Sequence, residues 1–440
     1  MSMQLMICIV ICIFTAIGFV SNKMSFGTTA CCAMVLFLLT GCIKPAEALG
    51  NLGNSNMILV ASMLVISAGF SRTQAVKFVG QTVKTISKGS IYKIMFGFTL
   101  ASILAATFTG SAAAAFCIMA PIVQATCKET GISISKVTFC VGLTCIAACG
   151  IIPVGGTLAM YSELNGYITA NDYEQFQLNV MDLFIGKWPT LVALIIYCTF
   201  FGHRIAPEQP LAGVGDTSEL EAKNIKRPAL PPFQEKCGYI IFIMVSVALI
   251  FGTQITGFFR GFDIAFQSWE IVFIGALLMV VTGVLTPKDA FGSINWDLCM
   301  LIAGSLCIGA ALNNTGGGVL IGDAIASVAN TLHNPYLIGA MFFLVPFALT
   351  QVMQNRAVMA IFQPIAILAC KSMGVSCVGP VLLVSAACCT AFMTPSATAC
   401  IPMIMGVGGY NIRRQFVQSI IPAIILSIVN IFWVMTVYTF

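Results

Sequence analysis

The chain has 440 residues, 58% of them hydrophobic and only 8% charged, with a mean hydropathy of +0.97. No aqueous surface can be built from that composition, so a soluble globular domain is excluded. The formal charge of +5 is too small, and too dispersed among loops, to suggest nucleic acid as a partner or a polybasic membrane anchor.

A helix needs ~20 mostly apolar residues to cross a bilayer core, and the runs in this chain predict an all-α polytopic membrane protein with about ten transmembrane helices. In the first half the crossings are residues 5–20, 26–43, 56–70, 137–168 as an interrupted span, and 184–201. The run 5–20 lacks a basic leader and a small-residue cleavage site, so it reads as a span and not as a signal peptide. Residues 91–127 are apolar but broken in the middle, at Phe108 to Ala113, with arms too short or irregular for two crossings, and are expected to form a re-entrant hairpin. The interrupted span breaks between Gly150 and Thr157. Residues 203–236, with five prolines and balanced charges, form a polar linker.

The second half repeats this order: crossings at 239–255, 269–285, 298–312, 378–407 as an interrupted span, and 416–438, with a second hairpin at 336–370. Its tip lies between Thr350 and Arg356, and its interrupted span breaks between Thr394 and Thr398. The correspondence extends to single residues. Gly41, Pro45 and Ala48 recur 242 positions later as Gly283, Pro287 and Ala290, and Leu59, Ala61, Leu64, Ile66, Ala68 and Thr73 recur as Leu301, Ala303, Leu306, Ile308, Ala310 and Thr315. One repeat of half an apolar chain is the mark of a transporter. The domains are therefore residues 1–202 and 237–440, joined by the linker.

Cytoplasmic loops carry the excess of lysine and arginine. The densest cluster is Arg72, Lys77, Lys84, Lys88 and Lys93. Placing it inside a cell (plasma or inner) membrane puts the amino terminus outside, the linker in the cytoplasm, hairpin 91–127 on the inner side and hairpin 336–370 on the outer side. Five crossings per half then make the repeats inverted.

The chemistry belongs where helices break, because freed backbone groups inside a bilayer must line a cavity or hold a ligand. Helix amino termini at such breaks favour anions. Arg356 is the sharpest signal: an arginine in an apolar region costs several kcal/mol, on the order of 2.5 to 3.5, unless it meets a partner or water, and its own hairpin contains no carboxylate. Its planar fork suits a carboxylate; the alternative is that it caps carbonyls at the tip or snorkels to the interface. Thr109, Ser111, Gly156, Thr157, Gln354, Asn355, Thr394, Ser396 and Thr398 supply neutral donors and freed backbone groups at the same breaks, each of which could equally be a turn residue. The 19 cysteines sit mostly in apolar runs and pack as small hydrophobes. No metal-ligand spacing emerges, and no His-Glu-x-x-His motif marks a membrane enzyme.

With Pro121 and Pro364 as anchors, the tips fall on Ser111, Ala112 and Ala113 and on Gln354, Asn355 and Arg356, and the segment from Thr394 ends in Gly408, Gly409 and Tyr410. On these residues the chain resembles the divalent anion/sodium symporter family of dicarboxylate, citrate and sulfate carriers, in the ion transporter superfamily. The resemblance implies a homodimer in the lipid bilayer that carries a small anionic substrate by alternating access, with tip asparagines on substrate carboxylates and sodium held by tip and break oxygens. This chain keeps Asn355 but has Ala112 at the other tip. It has Ala159 and Ile401 in place of the break asparagines, which leaves at most a residual sodium site near Ser111 and Gly155. Arg356 replaces the tip threonine beside one sodium. Exchange of di- or tricarboxylates without a cofactor is therefore expected, with the sodium requirement open. A sodium- or proton-coupled symporter of dicarboxylates or sulfate is the alternative, and an anion channel is the alternative of another class.

Overall fold

The computed structural model describes residues 3–21, 24–73, 90–210, 230–250, 268–317, 334–351, 354–395, 397–398 and 400–439, and every regular element among them is helical. Helix is what an apolar chain adopts in lipid, where each backbone N–H and C=O must be satisfied within the protein. The first half comprises α1 (Met3–Ser21), α2 (Phe26–Leu39), a short α3 (Pro45–Leu52), α4 (Ser55–Ser71), α5 (Ile91–Thr109), α6 (Ala112–Thr130), α7 (Ile134–Ala147), α8 (Gly156–Ala170) and α9 (Asp182–Ile196), which continues through a wider turn at Tyr197–Gly202. The second half comprises α10 (Pro232–Ile250), α11 (Ser268–Val281), a short α12 (Pro287–Ser293), α13 (Trp296–Thr315), α14 (Pro335–Thr350), α15 (Asn355–Met373), α16 (Val378–Cys388), α17 (Cys400–Gly408) and α18 (Ile412–Val437).

The backbone is consistent with the repeat read from sequence. The helices α3 and α12 each start at a proline, the position where the missing N–H costs nothing, and each follows a glycine at positive φ: Gly41 at 72° and Gly283 at 77°. The helices α6 and α15 each contain one proline, Pro121 or Pro364, and each ends at a left-handed glycine, Gly131 or Gly374. Both interrupted spans are present as separate arms, α7 with α8 and α16 with α17. Both hairpins are present as packed helix pairs, α5 with α6 and α14 with α15.

One expectation is corrected. The arms of the hairpins are not short: α5, α6 and α15 have 19 residues each and α14 has 16. The helices continue through Pro121, Pro346 and Pro364, because neighbouring helices re-satisfy the carbonyls a proline frees. Among the described residues six helices are long and apolar enough to cross a bilayer unaided, with seven shorter apolar ones beside them. Lys77, Lys84 and Lys88 of the basic cluster, 211–229 of the linker and 251–255 of one span lie outside the described residues.

The halves interlock. The helix α2 packs on α13, and α4 packs on both α8 and α11. Arg72 beyond α4 pairs with Asp289 of α12 at 3.7 Å and donates to the Val284 carbonyl at 3.0 Å. The first hairpin leans on α7 and α17, and the second on α16 and α8. The outer surface is greasy in helical stripes: Val10, Phe14 and Ile17 on α1 and Ile424, Ile428 and Phe432 on α18 are all exposed. At spacings of three and four, these stripes form an apolar face that lipid, not water, would wet.

Candidate functional site

The first tip and the first break meet backbone to backbone. Gly110 ends α5 in the left-handed conformation (φ 62°), and Ser111 caps α6 by accepting the Ala114 N–H at 3.4 Å. Thr109 donates its hydroxyl to the carbonyls of Ala105 (2.7 Å) and Ser111 (3.1 Å), which fixes the turn. A Cβ built on Gly110 would lie 2.4 Å from the Gly156 Cα, and one built on Gly156 would lie 2.2 Å from the Gly110 Cα. Only glycine at both positions permits this approach. The tip also touches the second break, since the Cys400 thiol at the start of α17 donates to the Ala112 carbonyl at 3.6 Å.

The second tip is bound to the second break by hydrogen bonds. Gln351 accepts the Met393 N–H at 3.1 Å and donates to the Thr390 carbonyl at 3.4 Å, while Thr394 donates its hydroxyl to the Gln351 carbonyl. The break is braced from behind by α18, where Gln415 (3.0 Å) and Ser419 (3.2 Å) donate to the Phe392 carbonyl. Asn355 accepts the Arg356 N–H at 3.0 Å, and the Thr398 hydroxyl accepts the Cys400 N–H at 3.3 Å.

Arg356 does not stand alone. Its guanidinium donates to the Glu163 carboxylate of α8, so the second hairpin is tied by an ion pair to the arm that follows the first break. The Glu163 side chain is 2% exposed and that of Arg356 is 27% exposed, so the anion is enclosed and the cation is partly open. The pair corrects the expectation of a guanidinium awaiting a ligand. The partner lies in the other half of the chain, beyond a search confined to the hairpin.

A second cation lies close by. Lys187 of α9 is 2% exposed and donates to the Ser385 hydroxyl of α16 at 2.7 Å and to the Gly150 carbonyl, at the start of the first break, at 3.4 Å. It is within electrostatic reach of Arg356. Neither Glu163 nor Lys187 stood out in the sequence, although Glu163 is a lone charge in an apolar run, the same signal that marked Arg356; Lys187 lies near the start of a span.

Thr109, Ser111, Gly156, Thr157, Gln354, Asn355, Arg356, Thr394 and Thr398 thus all lie on the four broken elements. These elements contact one another at Gly110 with Gly156, Ala112 with Cys400, Gln351 with Met393 and Thr394, and Arg356 with Glu163. Thr157 is buried, whereas Ser111 and Gln354 are exposed. Ser396 lies outside the described residues. For sodium the donor set is poor. Ala159 and Ile401 are buried in the apolar cores, the Ser111 and Thr109 hydroxyls serve the turn, and the Gly150 carbonyl takes an ammonium. Ala159 and Ile401 offer no side-chain oxygen to a sodium ion. Among the described residues there is also no cluster of three metal-ligating side chains.

The family model described as "Citrate transporter" matches residues 16–389. An uncharacterized transporter of Synechocystis is 28% identical over 236 residues, which are 53% of this chain and 36% of that protein, so the match spans about a third of that relative. A sodium-dependent dicarboxylate transporter of Staphylococcus aureus is 22% identical over 460 residues, 97% of this chain and 85% of that protein. The crystal structure of the Alcanivorax borkumensis YdaH transporter superposes with a TM-score of 0.57 at 11% identity, covering 88% of this chain and 87% of that one. At that identity the likeness establishes the fold alone. The chain belongs to the citrate transporter family: it is a multi-pass membrane transporter and not an enzyme.

Proposed function

We propose that this member of the citrate transporter family is a secondary transporter of small di- or tricarboxylate anions that works by exchange. The observation that carries this reading is the contact of two hairpin tips and two span breaks beside two cations, the partly exposed Arg356 and the buried Lys187, balanced by one buried carboxylate, Glu163. Such a set carries a net positive charge in a medium that penalises it, and an arriving anion relieves the penalty. Neutral donors at Ser111, Thr157, Gln354, Asn355 and Thr398, with backbone N–H groups at Gly156, orient the anion, while Thr109 and Thr394 hold the tips in shape. The Arg356 fork takes one carboxylate in place of Glu163, so Glu163 acts as an internal stand-in for the substrate between transport events.

In this scheme residues 1–202 and 237–440 are inverted halves joined by a cytoplasmic linker, 203–236. The amino terminus lies outside the cell membrane, and the hairpins travel with the interrupted spans between inward- and outward-facing states. The chain acts as a homodimer. Sodium-coupled symport is the second reading, favoured by the name of the Staphylococcus relative, while Ala159 and Ile401 speak against it.

Counterflow in proteoliposomes separates these readings. An exchanger accumulates labelled citrate or succinate only against unlabelled anion inside, equally in choline and sodium buffers. A symporter accumulates it against empty vesicles under a sodium gradient, and a channel only equilibrates it. Accumulation driven by sodium into empty vesicles would overturn the exchange reading.

A further inference from the structure

Lys187 calls for its own explanation. It sits one and a half turns into α9, and a lysine near a helix end in a membrane normally extends along the surface to reach water. This one turns inward and is 2% exposed. The acid on its own helix, Asp182, is engaged elsewhere, accepting from the Tyr438 hydroxyl at 2.9 Å and the Asn179 N–H at 2.6 Å. Glu163 is engaged by Arg356. Among the described residues Lys187 has no carboxylate partner, and its ammonium is met by neutral oxygens, a hydroxyl and a carbonyl freed from a broken helix.

That shell is built rather than incidental. Gly150 holds its carbonyl in place from the left-handed region (φ 75°), and a Cβ there would lie 2.5 Å from the Met160 sulfur. The same sulfur accepts the Ser385 hydroxyl at 3.5 Å, which leaves the Ser385 lone pairs facing the ammonium. Carbonyl and hydroxyl oxygens brought together by broken helices are the ligands that hard cations take. Here the oxygens come from the interrupted spans of both halves, Gly150 from the first and Ser385 from the second.

We propose that the Lys187 ammonium is a built-in monovalent cation that fills the oxygen shell between the two interrupted spans and stands in for a soluble sodium ion as the electrostatic partner of the transported anion. This rests on the anion-transport reading for the identity of the partner, but not for the cation shell itself. A tethered cation leaves sodium with nothing to add. Removing the ammonium opens the shell to a soluble ion.

The test is the thermal unfolding of purified, substrate-free full-length protein in sodium chloride and in choline chloride at equal ionic strength. Wild type should unfold at the same temperature in both salts. Lys187→Gln and Lys187→Met should unfold earlier in choline and recover with sodium, the midpoint rising and then saturating with concentration, as for any ligand that binds only the folded state. Variants indifferent to sodium overturn the proposal, as does a wild type that sodium stabilises. A variant that folds in neither salt also overturns it, since a soluble cation then cannot take the place of the ammonium. Citrate and succinate counterflow by wild type, run in parallel, reads the anion assignment independently: loss of counterflow alongside intact sodium rescue would sink the substrate and leave the cation shell standing.

Discussion

Replacing Glu163 by glutamine should make the protein less stable and its affinity for carboxylates higher. The substitution leaves Arg356 without its anion. Breaking a fully buried pair by removing one partner costs about 3 to 5 kcal/mol, whereas exposed pairs are worth about 1 kcal/mol or less. Arg356 is 27% exposed and can rehydrate in part, which places the loss at about 2 to 3 kcal/mol. Unfolding entropy of roughly 2.1 cal/mol/K per residue gives about 0.9 kcal/mol/K for this chain, so the midpoint should fall by ~2 to 3 °C. The double variant with Arg356→Gln should regain most of that loss, because two neutral side chains replace the pair. Glu163→Gln should also bind citrate or succinate more tightly. A guanidinium that no longer has to exchange partners gains a charge-assisted bond worth about 1.5 to 3 kcal/mol, roughly 10- to 150-fold in affinity. The assays are thermal unfolding and the dissociation constant, measured on the same preparations of the four proteins in a double-mutant cycle. A coupling energy below about 0.5 kcal/mol, or weaker binding by the single variant, would refute the view that Glu163 and substrate compete for one cation.

Arg356→Lys should keep part of the pairing with Glu163 and yet bind substrate more weakly, because a point charge cannot reproduce the fork; Arg356→Gln alone should be the less stable of the two, since it strands a carboxylate that is 2% exposed. Equal dissociation constants for the three proteins would move the anion away from the second hairpin. Gly110→Ala should abolish transport in the counterflow assay and lower the unfolding midpoint, because the left-handed backbone costs an alanine about 1 to 2 kcal/mol and its Cβ would press on the Gly156 backbone. Gln351→Leu should destabilise by about 1 to 3 kcal/mol, the cost of a stranded buried donor, since it leaves the Met393 N–H without its partner; an unchanged midpoint would mean that the second tip is held by other contacts.

The fold was largely legible because membrane insertion makes hydrophobic runs nearly equivalent to helices, and because the second half repeated the evidence of the first. The breaks were legible for the same reason: glycine, proline and small polar residues inside an apolar run leave few other structures. Pairing across the site was not. Glu163 and Arg356 are remote in sequence and in different halves, and nothing local to either announces the other. Lys187 was hidden by its position near the start of a span, where a lysine ordinarily needs no explanation. Whether such a side chain turns to lipid headgroups or to the interior depends on the faces of α16 and of the first break, which only the packed helices reveal.

The two hairpins are fastened by different means. At the first tip the join is a pair of α-carbons in contact at Gly110 and Gly156, with a thiol hydrogen bond beside it. Each carbon–carbon contact contributes only about 0.1 to 0.2 kcal/mol, and no side chain must change rotamer for the surfaces to part. At the second tip, separation means breaking the Gln351 bonds and the Arg356 ion pair together. The first seam is a smooth bearing and the second a latch. On the proposed reading, motion across the site is therefore asymmetric in cost, easy on the side of α5 and α6 and conditional on the side of α14 and α15, where an anion arriving at Arg356 would be the key that fits the latch.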